Sequence, residues 1–445
     1  MKFLITILLL CGGLLKAWPQ DNSPANAATN AVPITSAFIN QLVEEARANN
    51  PKLRAARSRV TAATLGAGSV RTWDDPTAVF GGSVYSDKGF RPDEEGNLAY
   101  GIEQKLPLWG RPQLNRRVAD SEVSTRRAEV ELRAQEVRRD IARGLLASAL
   151  AERVVEIGEQ DLAWLKATAK ATENKYRAGQ AVIADTLQIQ NEAAKRADAL
   201  HTDHNRLGHE HFALSRLLNR PAESPWPILR LPPVAPAIPL SRKLLAAALQ
   251  SEPKLKVLEQ EIDQARAAAE LTRKTRLPDV SLGVEGRQYS GDGEFRSGMF
   301  TLRFSLPWFN GDKYRRDYDR DRERQKTAEQ EREEQVLMVR EVLHHLSVEI
   351  EATRREALLY RDEICARATQ VLNSRLADWE SGHGPFREVL EARRMVLESE
   401  LMSARAVAEE NGLLAELLLW TGFENAEALA TLAGEPPLIP EHGGH

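Results

Sequence analysis

The fold is decided by the stretch PDVSLGVEG at residues 278–286 and by its earlier copy, PTAVFGGSV at residues 76–84. After each proline, residues of one face alternate with residues of the other, and in the later copy one face is wholly apolar, which predicts a β-strand. A second alternating run follows each stretch and ends in LPLWG at residues 106–110 or LPWFNG at residues 306–311. Each copy therefore predicts a two-stranded hairpin, and the two hairpins lie about 200 residues apart.

Long segments with helical spacing flank the hairpins. Apolar residues recur every three to four positions at residues 38–70, which predicts a helix of roughly 34 residues with a break near Pro51. Residues 111–176 predict a single helix about 100 Å long, and residues 313–379 predict its counterpart. A shorter helix is predicted at residues 183–218. The order helix, hairpin, long helix and shorter helix thus occurs twice along the chain, which indicates a tandem duplication.

The duplication sets the expected domain boundaries. We place the first repeat at residues 38–220 and the second at residues 241–422. A linker at residues 221–240 joins them, and a tail at residues 423–445 follows the second repeat.

The N-terminus has the plan of a secretory signal. Lys2 precedes an apolar run at residues 3–15, and a polar stretch follows. The run is too short to span a bilayer as a helix. We place the signal peptide at residues 1–27, where Ala25-Asn26-Ala27 fits a cleavage site, and a linker at residues 28–37.

The two cysteines do not predict a disulfide. Cys11 lies inside the apolar run of the predicted signal peptide and follows Leu10. A lipid-anchored cysteine would normally follow a small residue, so we expect Cys11 to be removed with the signal peptide on export. Cys365 then remains alone, so packing and assembly must stabilise the exported chain.

The composition excludes several classes of function. The chain has 445 residues with 60 Lys and Arg against 64 Asp and Glu, a formal net charge of −4. With charges so nearly balanced, the chain has no strong positive electrostatic field that would favour binding to nucleic acid, and we predict no nucleic-acid partner. The sequence contains no nucleophile-and-base motif and no phosphate-binding loop, so we predict neither an enzyme nor a cofactor.

The predicted strands have the length and the faces of an outer-membrane barrel. Strands of roughly nine to eleven residues with one apolar and one charged face can cross the hydrocarbon layer. A half-buried soluble sheet alternates in the same way. Export and the duplicated hairpin favour the membrane. Four strands cannot close on themselves, and open edges in lipid leave backbone groups unpaired, so a barrel requires several copies.

The order of these elements resembles the TolC family of outer-membrane efflux proteins. The local markers are YRAG at residues 176–179 followed by Asp185-Thr186-Leu187, and Ser381-Gly382 followed by Glu388-Val389-Leu390. The resemblance implies a mainly α chain with a transmembrane β-barrel. Three chains supply four strands each to a twelve-stranded barrel, which continues as a long periplasmic α-helical tunnel.

The resemblance also implies function and partners. It predicts an exit duct in the cell outer membrane that extends into the periplasm and conducts cargo passively. The implied partners are two further copies in a homotrimer, a periplasmic adaptor (membrane fusion protein), an inner-membrane transporter of the RND or ABC type, and outer-membrane lipid. Heavy-metal cations and small toxic compounds both remain open as cargo.

By the same resemblance, the two glycine turns lie at the periplasmic end. Gly179 and Gly382 mark the tips where the adaptor docks. Asp185, Glu388 and Glu391 match positions that ring a narrow aperture, where threefold symmetry triples each charge and favours cations. The alternative is that these carboxylates only complement the helix macrodipole.

The second turn departs from the pattern of some relatives. His383-Gly384-Pro385 stand where those relatives carry a charged gating residue, so an arginine gate is not expected at that spot. Tyr176 and Trp379 precede the two turns, and we expect them to pack instead of forming a constriction.

A group of histidines keeps a metal-binding role open. His201, His204 and His211 fall on one side of a predicted helix and are weak candidates for metal ligands. Asp203 and Glu210 are interleaved with them, and a solvated polar face is the favoured interpretation.

Two other functions remain open from the sequence. An exported coiled-coil scaffold or adaptor with small soluble sheets needs neither detergent nor a trimer. A periplasmic metal-binding protein would depend on the histidine group.

Overall fold

The computed structural model describes residues 31–82, 85–86, 89–90, 97–238, 240–289, 293–423 and 429. The predicted signal peptide, residues 28–30 of the predicted N-terminal linker and nearly all of the C-terminal tail lie outside this part of the chain, as does Val84 of the first hairpin.

The first repeat begins with two helices in place of one. A short strand β1 (Val32–Pro33) leads to α1 (Ser36–Asn49) and α2 (Pro51–Ser69). Asn50 between them is extended, because a residue before proline avoids the helical conformation. Its side chain accepts a hydrogen bond from the Lys52 N–H at 2.8 Å and so caps α2. The predicted break at Pro51 is confirmed.

The rest of the first repeat contains the hairpin and the long helices. Its elements are β2 (Thr77–Gly82), β3 (Tyr85–Ser86), β4 (Gly89–Phe90), β5 (Asn97–Lys105), α3 (Arg111–Arg177) and α4 (Ile183–Leu218). The first predicted strand of the hairpin is described only in part, since β2 covers residues 77–82 and residues 83 and 84 lie outside the described part of the chain. The predicted long helix is confirmed by α3, which has 67 residues and is about 100 Å long.

The second repeat follows the same order. Its elements are β6 (Leu229–Arg230), α5 (Arg242–Ser251), α6 (Pro253–Thr275), β7 (Val280–Tyr289), β8 (Phe295–Phe304), a 3₁₀ turn (Pro307–Asn310), α7 (Gly311–Leu359), α8 (Cys365–Glu380) and α9 (Phe386–Thr421). A π-helical turn, Tyr360–Ile364, separates α7 from α8. The predicted long helix at residues 313–379 is therefore confirmed, and the π-helical turn widens it locally.

Both hairpins join one antiparallel sheet in the order β2-β5-β7-β8. Ile102 at its centre pairs with Ala78 on one side and with Val284 on the other. The two repeats therefore share a sheet, and β2 and β8 are its edges. A separate parallel pair, β1 with β6, joins the segment before α1 to the segment that connects the two repeats.

Three apolar clusters hold the helices together. One contains Ile141 and Leu214 and joins α1, α3 and α4. A second contains Leu343 and Leu417 and joins α5, α7 and α9. The third surrounds Trp379 near the glycine turns and contains residues of both repeats. The repeats thus have separate cores along their length and a shared core near the turns.

Candidate functional site

One face of the sheet is apolar and exposed. Ile102, Val284 and Phe300 are neighbours across three strands and are 62%, 56% and 88% exposed. A contiguous apolar patch of this kind marks a surface that meets lipid or another protein. Further exposed apolar residues on this face of the sheet include Phe80, Leu98, Tyr100, Leu282, Phe295, Leu302 and Phe304. With nine or ten residues, β5, β7 and β8 are long enough to cross a hydrocarbon layer.

The opposite face of the sheet carries charges. Arg303 on β8 pairs with Glu103 on β5, two strands away. Gly283 lies between Glu103 and Thr301 in the register, so no side chain on β7 blocks this contact. At the end of the sheet nearest the helices, Lys105 Nζ lies 3.3 Å from Asp279 Oδ2. This polar face fits contact with water and solutes.

A clamp joins the sheet to the helices. Arg111, the first residue of α3, pairs with Asp279 just before β7 and also donates to the Lys274 carbonyl at 3.0 Å. It therefore caps the C-terminus of α6, which belongs to the other repeat. The Trp109 indole N–H donates to the Pro278 carbonyl at 2.7 Å. The two repeats are thus locked together where sheet and helices meet.

The two glycine turns have the same geometry. Gly179 has φ of 73° and Gly382 has φ of 80°, a left-handed conformation that glycine adopts without steric cost. Each turn is closed by a backbone hydrogen bond of the same type, as from the His383 N–H to the Asp378 carbonyl at 2.8 Å. The turns reverse the chain between α3 and α4 and between α8 and α9.

The tips are linked through Lys175 and Trp379. The Lys175 ammonium lies 4.1 Å from the centre of the Trp379 ring and 3.3 Å from the Glu380 carbonyl at the end of α8. The Trp379 ring packs at 5.1 Å from the ring of Phe386 and is 8% exposed. The predicted packing role is confirmed for Trp379. Tyr176 is 43% exposed in the single chain, so its packing role stays a prediction.

Replacing Lys175 with methionine is expected to loosen this link. The ammonium interacts with both the ring and the carbonyl end of α8, so its loss should cost about 1 kcal/mol and increase the spacing between the turns. Spin labels on the two turns would report that distance. Lys166→Met, which removes another exposed lysine of α3, is the matched control, and equal distance distributions in both variants would contradict the assignment.

The three predicted aperture carboxylates differ in their surroundings. Glu388 Oε2 lies 2.9 Å from Arg375 Nη1, and Glu391 Oε1 lies 2.7 Å from Arg387 Nε. Asp185 has no ion-pair partner within residues 31–423 that the structure describes. Burial raises the pKa of its carboxyl, while a backbone hydrogen bond from Val182 opposes the shift. The uncompensated negative charge after the turns therefore belongs to Asp185.

An ionic network above the turns was not predicted. Asp161 on α3 has a side chain 4% exposed and accepts from Arg393 Nε on α9 at 2.7 Å. Arg196 on α4 lies 3.8 Å from the other carboxylate oxygen. The Arg393 guanidinium also lies 5.1 Å from the Trp164 ring centre. No local sequence pattern signals this network, because its members come from three helices.

The histidine group does not form a cluster around a common point. His204 Nε2 lies 3.6 Å from Glu159, and His211 Nε2 lies 3.8 Å from Glu152, on successive levels of the α3–α4 pair. Burial lowers the pKa of His211, and His201 is exposed. Within the part of the chain that the structure describes, no three His, Cys, Asp or Glu side chains come together as a metal site.

Most of the chain matches the model of a known protein family. The model described as outer membrane efflux protein matches residues 42–220 and 244–409, one segment in each repeat and most of the chain together. The chain belongs to the outer membrane efflux protein family. The resemblance read from the glycine turns and hairpins is confirmed, and this efflux protein is an outer-membrane channel component that extends into the periplasm.

Solved structures of other outer-membrane channels share its fold. The channel OprN superposes with a TM-score of 0.74 at 18% identity, covering 86% of this chain and 89% of that chain. VceC from Vibrio cholerae superposes with a TM-score of 0.72 at 18% identity, covering 87% of this chain and 96% of that chain. CusC superposes with a TM-score of 0.74 at 16% identity, covering 86% of this chain and 92% of that chain. At these identities the likeness concerns the fold.

No curated protein matches the sequence of this efflux protein. Among the helices in the described ranges, none has the length and apolar character needed to cross a membrane.

Proposed function

We propose that three copies of this chain form a closed duct through the outer membrane, with twelve strands in the barrel and the long helices forming a periplasmic tunnel. The exposed apolar face of the sheet carries this proposal. Lipid would cover that face, and the charged face with Glu103 and Arg303 would line the lumen. The unpaired edges β2 and β8 would meet between copies and leave no open edge in lipid.

The duct acts without a chemical step. An inner-membrane pump of the RND or ABC type supplies the energy, and a periplasmic adaptor docks at the tips around Gly179 and Gly382. Cargo of the heavy-metal or small toxic compound class passes through by diffusion. Support for this arrangement comes from family membership and from helices about 100 Å long, which are suited to crossing a periplasmic space.

Selection at the tips falls mainly on Asp185. Threefold symmetry would bring three such carboxylates around the axis, and their combined field favours cations. Glu388 and Glu391 contribute less to the preference for cations, because each has an arginine partner in its own helical hairpin. Since burial raises the pKa of Asp185, the preference for cations should be lost on acidification at a higher pH than for an ordinary aspartate.

Conductance in planar bilayers tests the proposal. Detergent-purified wild-type protein is expected to give small cation-selective currents, and Asp185→Asn is expected to reduce the cation-to-anion permeability ratio several-fold. Glu391→Gln is the matched control and should change that ratio little. Equal selectivity in all three proteins would refute the role of Asp185. A protein that neither inserts nor trimerises would refute the duct and favour a soluble scaffold.

A further inference from the structure

A polar cavity lies between α3, α4 and α9, on the side of the glycine turns that faces the sheet. Its volume is about 190 Å³. Four small or apolar residues form part of its wall, among them Leu165 of α3 and Leu390 of α9. The other residues that line it are charged, and they are Asp161, Glu192, Lys195, Arg196, Arg393 and Arg394.

Basic side chains outnumber carboxylates around this cavity. Four of the six charged lining residues are basic and two are acidic. One oxygen of Glu192 serves two of the cations, at 3.2 Å from Lys195 Nζ and 2.8 Å from Arg394 Nη2. Asp203 is not part of the lining, but its Oδ2 lies 3.7 Å from Arg196 Nη2. Even with Asp203 included, these seven groups carry an excess of one positive charge.

The guanidinium group of Arg196 has hydrogen-bond donors to spare. Its Nη2 atom is buried and makes no hydrogen bond with any residue that the structure describes. The nearest carboxylate oxygens lie 3.7 Å from Nη2, on Asp203, and 3.8 Å from Nε, on Asp161, which is beyond hydrogen-bond distance. A buried charged donor without an acceptor costs free energy, so an acceptor of negative charge is favoured at this point.

Gly158 provides the room that the Arg196 guanidinium occupies. It lies in the interior of α3, where glycine costs about 1 kcal/mol of helix stability relative to alanine. A Cβ atom added at this position would overlap Arg196 Nη2 and would lie 3.1 Å from a methyl carbon of Leu200. Arg196 Nε also donates to the Gly158 carbonyl at 3.5 Å. The glycine therefore sets the position of the guanidinium beside the cavity.

We infer that this cavity binds a small tetrahedral oxyanion of the phosphate class between Arg196 of α4 and Arg393 of α9, with Lys195 and Arg394 adding positive charge. Guanidinium groups present paired N–H donors that match the oxygens of such anions. The anion would accept from Arg196 and balance the excess charge. It would also join α4 of the first repeat to α9 of the second. The site belongs to a single chain, so it does not depend on the proposed duct.

Calorimetric titration with inorganic phosphate tests the site. The exported chain, purified in detergent and exchanged into phosphate-free buffer, is expected to bind one phosphate per chain. Arg196→Met should weaken this binding by about tenfold or more, because it removes a charge-assisted hydrogen bond. Arg206→Met removes an exposed arginine of the same helix and is the matched control. Absence of saturable binding to the wild type, or equal affinity in Arg196→Met, would overturn the inference.

A pair of glycine variants separates phosphate binding from helix stability. Gly158→Ala raises the helix propensity of α3 but displaces the Arg196 guanidinium, so phosphate affinity should fall several-fold. Gly208→Ala makes the same exchange in α4, where an added Cβ meets no described atom within 4 Å, and should keep the affinity of the wild type. Phosphate should therefore raise the unfolding temperature of Gly208→Ala more than that of Gly158→Ala. Equal shifts in the two variants would contradict the site.

Titrations with chloride and acetate define the class of anion. Both should bind more weakly than phosphate, because neither presents a tetrahedral set of oxygens to the two guanidinium groups. If acetate binds as tightly as phosphate, the cavity is a site for carboxylates, and the assignment to an oxyanion of the phosphate class is wrong. If chloride and phosphate stabilise the protein equally at the same ionic strength, the effect is general charge screening, and the site is refuted.

Discussion

Asp161→Ala is expected to lower the free energy of unfolding by about 3–5 kcal/mol, the cost of breaking a buried ion pair by removing one partner. The substitution leaves the guanidinium groups of Arg393 and Arg196, whose side chains are 14% and 12% exposed, without their shared carboxylate. Because these residues join α3, α4 and α9, the loss should also let the two hairpins separate. Thermal unfolding in detergent measures the first effect, and single-channel conductance measures the second.

A compensated variant separates charge from packing. Asp161→Leu combined with Arg393→Met removes both partners of the shortest contact and keeps apolar volume, so it should recover most of the lost stability. Arg153→Ala removes an exposed arginine that pairs with Glu156 one turn away, and it should cost less than about 1 kcal/mol. If Asp161→Ala behaves like Arg153→Ala, the buried network does not hold the hairpins together.

Glu410→Gln is expected to stabilise the protein at pH 8 by about 2–3 kcal/mol. Burial raises the pKa of the Glu410 carboxyl to about 7. One carboxyl oxygen accepts from the Ala235 N–H at 3.2 Å, and the other finds no hydrogen-bond partner among the described residues. Ionisation of this group in the folded state is therefore costly, and the amide avoids that cost.

The sign of the pH effect follows from proton binding. Between the ordinary glutamate pKa and about 7, the unfolded chain releases this proton while the folded chain keeps it. Stability from this group is therefore full at low pH and is lost as the pH rises to about 7. Unfolding measured from pH 4.5 to pH 8 should show this loss in wild type and in the exposed control Glu409→Gln. A Glu410→Gln variant that loses stability to the same extent would contradict the assignment.

Some features of the proposed aperture follow from short-range sequence patterns, and others do not. The positions of Gly179 and Gly382 follow from the ends of periodic segments. The pairing of Glu391 with Arg387 joins residues four apart on one helix, a spacing visible in the sequence. The pairing of Glu388 with Arg375 crosses a turn between two helices. It depends on how those helices rotate against each other, so the sequence overstated the number of uncompensated carboxylates.

The sequence by itself determined the duplication, the element order, the apolar sheet face and the length of α3, because each follows from local periodicity or from the match between repeats. Tertiary structure alone decided that Asp161 meets Arg393 and Arg196, and that Arg111 of one repeat caps α6 of the other. It also decided that Leu65 of α2 is exposed, whereas Ala267, the residue at the matching position of α6 in the second repeat, is buried. These outcomes require side chains far apart in the chain to meet, and that depends on helix rotation and packing, which periodicity does not specify.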